Sequence, residues 1–161
     1  MKPIVLATDG SPSAAEATRH AIELAGAFGA TLIAVSVEHA PQPGGTGYYG
    51  YANVLAELTR AEGDRVEQTL AHTAAVAAEA GVTCEIVHAR GSVCDKICHV
   101  ARRRDAHMIV IGAHGWGPMR RVLHGSVSTA VVHEARCPVL VVPAGPALGK
   151  SVEREQAVAV P

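Results

Sequence analysis

The sequence predicts one α/β domain, built as a doubly wound parallel sheet with helices on both faces. Apolar runs typical of buried strands alternate with helical patterns along most of the chain. Strands joined by helices in this way run parallel, with right-handed crossovers that place helices on both faces. The length of 161 residues and the hydrophobic share of 48% fit a single core.

The first half of the domain contains two predicted strands and two predicted helices. "PIVLAT" is a continuous apolar run, as expected of a strand buried on both faces. Ser11 can cap the next helix, Pro12 suits its first position, and Gly29 ends it. "TLIAVSV" predicts the second strand. A loop rich in Pro, Gly and Tyr then precedes a long helix, predicted from about Val54 to Ala80.

The second half supplies three more strands and two more helices. "VTCEIVHA" alternates polar and apolar residues, which predicts a half-exposed strand at the sheet edge. A helix over "SVCDKICHVARRR", a central buried strand "HMIVIG", a helix over residues 119–134 and a last strand "CPVLVVP" follow. The predicted domain therefore covers residues 1–143, and residues 144–161 are expected to form a mobile tail.

Charge and composition exclude several functional classes. A net charge of -1 and a pI near 6.7 provide no field that attracts nucleic acid or an anionic membrane. The basic triplet Arg102, Arg103 and Arg104 is interpreted as the end of a helix. The N-terminal apolar run is too short for a signal peptide, so we expect a cytoplasmic protein whose four cysteines are thiols.

Two unusual loops lie at the expected ligand-binding edge of the sheet. In such sheets ligands bind outside the carboxyl ends of the strands, where the strand order reverses. "TDGSPS" follows the first strand, and "GAHGWGPMRRVLHGS" follows the fourth. Gly112 and Gly115 allow a close backbone approach, and Gly125 with Ser126 could donate to phosphate oxygens. The alternative is an ordinary tight turn that leads into a helix.

The spacing of these glycines carries a resemblance to a known family. G-x-x-G, nine residues and then G-S, at the end of the fourth strand, resembles the signature of the universal stress protein family. The likeness extends from "VLATDGS" through "GSVCDKI" and "MIVIGAHG" to "CPVLVVP". It implies a Rossmann-like (adenine nucleotide alpha hydrolase-like) five-stranded sheet of order 3-2-1-4-5, usually in a homodimer. The complete glycine signature implies the branch that binds ATP.

The resemblance also implies a nucleotide site. It places Asp9 and Val37 near the adenine and ribose, with Ile111 and Gly112 in the same pocket. Asp9 would serve the ribose or a bridging Mg²⁺, because a carboxylate repels phosphate; alternatively it only caps a turn, and Val37 is only a strand residue. The candidate nucleotide-binding residues are Ala7, Asp9, Val37, Ile111, Gly112, His114, Gly115, Gly125, Ser126 and Val127.

Several positions depart from the common family pattern. Ala7 stands where a proline often precedes the aspartate, and Val93 replaces a proline that often follows the third strand's glycine. His114 lies between the paired glycines, and His124 precedes Gly125. If either histidine faces phosphate, nucleotide affinity rises below about pH 6.5; the alternative is two solvent-exposed histidines.

Two further motifs are interpreted as coincidental. "AGPALGKS" ends like a Walker A loop, but Ala144 replaces the first glycine and no strand-loop-helix context follows. In "CDKICH", Cys94 and Cys98 share one helix face while His99 lies one step off it, which gives two aligned ligands only. We interpret these cysteines as thiols without a metal.

Binding of ATP or AMP is expected rather than turnover, because the sequence contains no hydrolase motif; ATP hydrolysis would be slow at most. The last strand, which the family's order places at an edge, is apolar on both faces and predicts a two-fold dimer through Val139–Val142, or cover by the tail. A regulatory module read by an unidentified protein partner, with Tyr48, Tyr49 and Tyr51 closing over the base, is one hypothesis. One alternative is a dimeric scaffold in which the glycine loop, the segment that contains Gly112, Gly115 and Gly125, is purely structural. The other is a slow ATPase.

Overall fold

A computed structural model describes residues 1–38, 49–113 and 126–143. The strands are β1 (Ile4–Ala7), β2 (Leu32–Glu38), β3 (Cys84–Arg90), β4 (Met108–Gly112) and β5 (Val139–Val142). The helices are α1 (Pro12–Phe28), α2 (Tyr49–Glu79), α3 (Val93–Arg103) and α4 (Ser126–Glu134). The strands pair in parallel in the order β3-β2-β1-β4-β5, which confirms the predicted fold class.

Alternation along the central strand β1 divides the core between the two faces of the sheet. Ile4 and Leu6 are buried in a cluster with side chains of α1 and α2. Val5 and Ala7 are buried in a second cluster with side chains of α3 and α4. Because successive side chains of a strand point to opposite faces, one short apolar strand supports helices on both sides.

Helix α1 begins and ends where the sequence predicts. The Ser11 side chain accepts a hydrogen bond from the backbone N–H of Ala14 at 3.2 Å, and Pro12 is the first helical residue. Gly29 ends the helix in the left-handed conformation with φ 59°, where a Cβ would be strained. The cap at Ser11 thus fixes where the loop that follows β1 passes into α1.

The two edge strands of the sheet are β3 and β5, as expected from the sequence. β3 forms one edge, and each of its residues is exposed or partly buried, none of them fully buried. β5 forms the other edge, where Leu140 is 38% exposed although the strand is wholly apolar. The predicted pairing of β5 with a second chain stays a prediction.

The long helix α2 begins at Tyr49, earlier than the predicted start near Val54. Tyr49 and Tyr51 therefore belong to a helix and not to a loop that precedes it. Composition suggested a loop, but after Gly47 the segment contains no proline, and the single Gly50 costs a helix only about 1 kcal/mol. Within the described residues, no helix is long and apolar enough to cross a membrane.

Candidate functional site

A cavity opens at the carboxyl edge of the sheet, at the point where the strand order reverses. It has a volume of about 160 Å³ and lies at the ends of β1, β2 and β4, under the first residues of α3 and α4. Its lining is mostly aliphatic and includes one carboxylate, that of Asp9. The lining residues are Ala7, Thr8, Asp9, Ala14, Val35, Val37, Val93, Ile97, Ile111, Gly112 and Val127.

The turn between β1 and α1 holds Asp9 at the cavity wall. The Asp9 Oδ1 atom accepts a hydrogen bond from the backbone N–H of Ser11 at 2.9 Å, while Ser11 caps α1. Gly10 has a φ of 76°, and a Cβ there would lie 3.0 Å from the Thr69 hydroxyl oxygen. Asp9 is thus both the acceptor of a tight turn and part of the cavity lining, so the two sequence interpretations of this residue are compatible.

Arg65 ties the same turn to α2, which packs on the same face of the sheet as α1. Its Nη1 donates to the backbone carbonyl of Asp9 at 2.7 Å, and its Nε and Nη2 donate to the Glu62 carboxylate. The hydrogen bonds that Arg65 donates to the Glu62 carboxylate are the main cause that raises the pKa of Arg65. A permanent positive charge therefore lies beside the Asp9 backbone. Sequence reasoning missed this contact because it joins residues 56 positions apart.

The end of β4 approaches α1 too closely for a side chain. A Cβ on Gly112 would lie 2.7 Å from Ser13 Oγ and 2.8 Å from the Ser13 carbonyl carbon. The Ser13 hydroxyl in turn donates to the carbonyl of Val142 in β5 at 3.4 Å. The close approach predicted for Gly112 is therefore made to the neighbouring helix, and the same residue lines the cavity.

Helix α4 directs its N-terminus toward this edge of the sheet. Val127, in its first turn, lines the cavity, and the exposed Ser126 precedes it. The Ser128 hydroxyl donates to the carbonyl of Ala113, which anchors the helix start to the end of β4. The first amides of a helix lack partners within the helix and favour anions, so this end can bind a phosphate group.

The cavity brings together six of the ten candidate residues, and Ser126 adjoins it. The six are Ala7, Asp9, Val37, Ile111, Gly112 and Val127. His114, Gly115 and Gly125 lie outside the described residues, as do His124, Tyr48 and the Walker-like segment.

Sequence reasoning missed five other lining residues as parts of the site: Thr8, Ala14, Val35, Val93 and Ile97. Thr8 and Val35 neighbour candidates in sequence, whereas Val93 and Ile97 come from α3 and only the folded chain places them here.

The arrangement suits a flat aromatic group joined to an anionic one. Aliphatic side chains such as Val37 and Ile111 offer apolar walls, and the Asp9 carboxylate can accept from hydroxyl groups or coordinate a hard cation. The N-terminus of α4 supplies the anion-binding side.

Comparison with known proteins agrees with this geometry. The family model described as the universal stress protein family matches residues 1–143. The chain belongs to the universal stress protein family. A universal stress protein of Methanocaldococcus jannaschii is 35% identical over 141 residues, which cover 88% of this chain and 81% of that protein.

Solved structures of the family share the fold. The universal stress protein UspA from Lactobacillus plantarum has a TM-score of 0.77 at 25% identity, covering 88% of this chain and 97% of that one. A universal stress protein solved in complex with cAMP has a TM-score of 0.67 at 27% identity, covering 89% of this chain and 98% of that one.

More distant structures extend the series of bound nucleotides. A universal stress protein from Archaeoglobus fulgidus in complex with dAMP shares the fold at 24% identity and a TM-score of 0.58, covering 88% of this chain and 98% of that one. A universal stress protein family protein from Arabidopsis thaliana with AMP bound also shares the fold. Its identity is 19% and its TM-score is 0.64, and the match covers 89% of this chain and 92% of that one. Structural homologues of this chain thus bind adenine nucleotides.

Proposed function

We propose that this universal stress protein is a cytoplasmic, ATP-binding regulatory module whose nucleotide occupies the carboxyl-edge cavity together with Mg²⁺. The observation that carries the proposal is the cavity itself, which combines aliphatic walls, the Asp9 carboxylate and the N-terminus of α4 at the point of strand reversal. The relative that was solved with cAMP supports an adenine nucleotide as the ligand.

The two ends of the cavity suit the two ends of a nucleotide. The adenine contacts the aliphatic walls, where burying its faces is favourable. Asp9 accepts hydrogen bonds from the ribose hydroxyls or helps to hold Mg²⁺, whose charge offsets the repulsion between this carboxylate and phosphate. Ser126, Val127 and the glycine loop bind the phosphates. AMP satisfies the base and ribose contacts equally well, so the preference for ATP depends on the glycine loop.

Binding, and not turnover, is the expected activity. Asp9 is the only carboxylate that lines the cavity within the described part of the chain, and its proposed partner is the ribose or Mg²⁺ and not an attacking water. Hydrolysis of ATP needs a positioned water and charge stabilisation at the transferred phosphoryl group. We therefore expect slow hydrolysis at most, and regulation through a surface that changes with nucleotide occupancy and is read by a protein partner.

Calorimetric titration of MgATP into nucleotide-free protein tests the proposal, with AMP and GTP as competitors. We expect adenine-specific binding in the micromolar range or tighter. Val37→Glu, which puts a charge on the apolar wall, should weaken ATP and AMP alike by roughly tenfold or more. Gly115→Val should weaken ATP more than AMP. Ile86→Glu, an exposed strand position on β3 outside the cavity lining, is the matched control and should bind normally.

The opposite outcome favours the second candidate function. If neither heat nor thermal stabilisation accompanies nucleotide addition while the protein remains dimeric, the glycine loop is only structural. The exposed apolar residue Leu140 on the edge strand β5 is the observation that keeps a dimeric scaffold as this alternative.

A further inference from the structure

Three side chains of metal-ligating types converge between α3 and the end of α4, and none of them lines the cavity. The Sγ atoms of Cys94 and Cys98 and a carboxylate oxygen of Glu134 all lie within 4.8 Å of one another. Two ligands bound tetrahedrally to Zn²⁺, at about 2.3 Å for sulfur, lie about 3.8 Å apart. The three atoms are therefore at most about 1 Å farther apart than ligands of one Zn²⁺ ion.

The fold explains why these residues meet. Cys94 and Cys98 are four positions apart on α3, so their side chains lie on the same face of the helix. Glu134 is the last residue of α4, which packs against α3 beside this face. The sequence spacing alone aligned the two cysteines, whereas the third ligand comes from another helix, 36 positions beyond Cys98 by residue number.

The chemistry of the three groups favours a thiophilic divalent cation. Cys94 and Cys98 bring two half-buried sulfur atoms and Glu134 brings a carboxylate, so the cluster combines two soft ligands with one oxygen ligand. A bound cation would deprotonate the thiols that ligate it. Two sulfur ligands select Zn²⁺ over Mg²⁺ or Ca²⁺, which take oxygen ligands.

Access to the cluster is open. Cys94 and Cys98 are half-buried, and Glu134 is exposed. Cys137 lines a neighbouring surface cavity with Cys98 but does not belong to the three-ligand group among the described residues. A fourth position is thus left for solvent.

We propose that Cys94, Cys98 and Glu134 form a Zn²⁺ site that joins α3 to the end of α4. Its position gives it a structural consequence, since Val93 and Ile97, the residues that precede the two cysteines, line the carboxyl-edge cavity. A bound ion therefore fixes the helix that forms one wall of that cavity. The site itself does not depend on nucleotide binding.

Zinc content and cobalt spectroscopy of the reduced full-length protein test the site. We expect one Zn²⁺ per chain after dialysis against a weak chelator, and a thiolate-to-metal charge-transfer band when Co²⁺ replaces it. Cys94→Ala and Cys98→Ala should each weaken Zn²⁺ binding by roughly tenfold or more and reduce the band to about half or less, since one thiolate is left. Glu134→Gln should weaken binding while retaining the sulfur band.

Cys84→Ala is the matched control, because Cys84 is also a half-buried thiol but lies on β3, outside the cluster. It should bind Zn²⁺ as the wild type does. A thermal melt with and without Zn²⁺ gives a second readout, since a ligand that binds only the folded state raises the Tm. Equal zinc content in Cys84→Ala and Cys94→Ala, or no zinc retained by any reduced protein that melts cooperatively, overturns the proposal.

Discussion

At the scale of single residues, Asp9 shows how one side chain serves both folding and a candidate site. Its Oδ1 atom accepts from the Ser11 N–H, and its backbone carbonyl accepts from Arg65. The turn needs an oxygen acceptor at this position, but it does not need a negative charge. The proposed contact with ribose or Mg²⁺ does depend on the carboxylate. The two roles can therefore be separated by a conservative substitution.

Asp9→Asn should retain the fold and lose nucleotide affinity. An asparagine oxygen can still accept from Ser11, so we expect the free energy of unfolding to stay within about 0.5 kcal/mol of wild type. MgATP affinity should fall roughly tenfold because the charge is lost. Asp9→Ala, which also removes the turn acceptor, should cost about 1 kcal/mol of stability. Calorimetry and urea unfolding measure both effects; unchanged MgATP affinity in a folded Asp9→Asn protein would leave Asp9 with its turn role alone.

At the scale of secondary-structure elements, local signals predicted much of the fold. The ends of α1 depend on Ser11, Pro12 and Gly29, whose preferences act within a few residues, and the structure confirms all three. The predicted start of α2 near Val54 was wrong, because the composition of the preceding loop does not determine where a helix begins. Helix propensity is weak per residue, so one glycine among helix-compatible neighbours is tolerated.

The candidate site was less predictable than the fold, for a physical reason. Residues at strand ends, such as Asp9 and Ile111, could be placed because parallel strands bring their carboxyl ends to one edge. Val93 and Ile97 could not, since their position depends on how α3 packs across the sheet. The partners Arg65 and Glu134 likewise depend on contacts between distant elements that no local pattern encodes.

The contact between β4 and α1 gives an element-scale prediction. Gly112→Ala puts a Cβ against the Ser13 backbone, which cannot rotate away, so we expect a loss of about 1–3 kcal/mol in the free energy of unfolding. Gly26→Ala is the matched control. Gly26 lies in α1, and a Cβ there would be 3.6 Å from the Val82 side chain, an ordinary van der Waals distance. This control should be neutral or more stable by up to about 1 kcal/mol. Equal stability of the two variants in urea unfolding would contradict the close packing.

At the scale of the whole molecule, the sheet has two unlike edges. β3 consists of exposed and partly buried residues and carries charged side chains, including Arg90, which pairs with the buried Glu38 at 2.7 Å. β5 consists of apolar residues only, and the exposed Val132 of α4 lies on the same half of the molecule. Native proteins protect apolar edge strands from uncontrolled pairing, and the predicted two-fold partner would do so for β5.

This asymmetry predicts that one edge, and not the other, controls assembly. Leu140→Lys puts a charge into the proposed β5 interface, so the protein should change from a dimer to a monomer in analytical ultracentrifugation at micromolar concentration. Ile86→Lys makes the same change at the β3 edge, where the isoleucine is 54% exposed, and should leave the dimer intact. If the wild type is a monomer, we infer instead that residues 144–161 cover β5. Deletion of these residues should then make the protein associate. Because β5 pairs with β4, whose end lines the cavity, a dimer through β5 would place the two candidate cavities at strands of one continuous sheet.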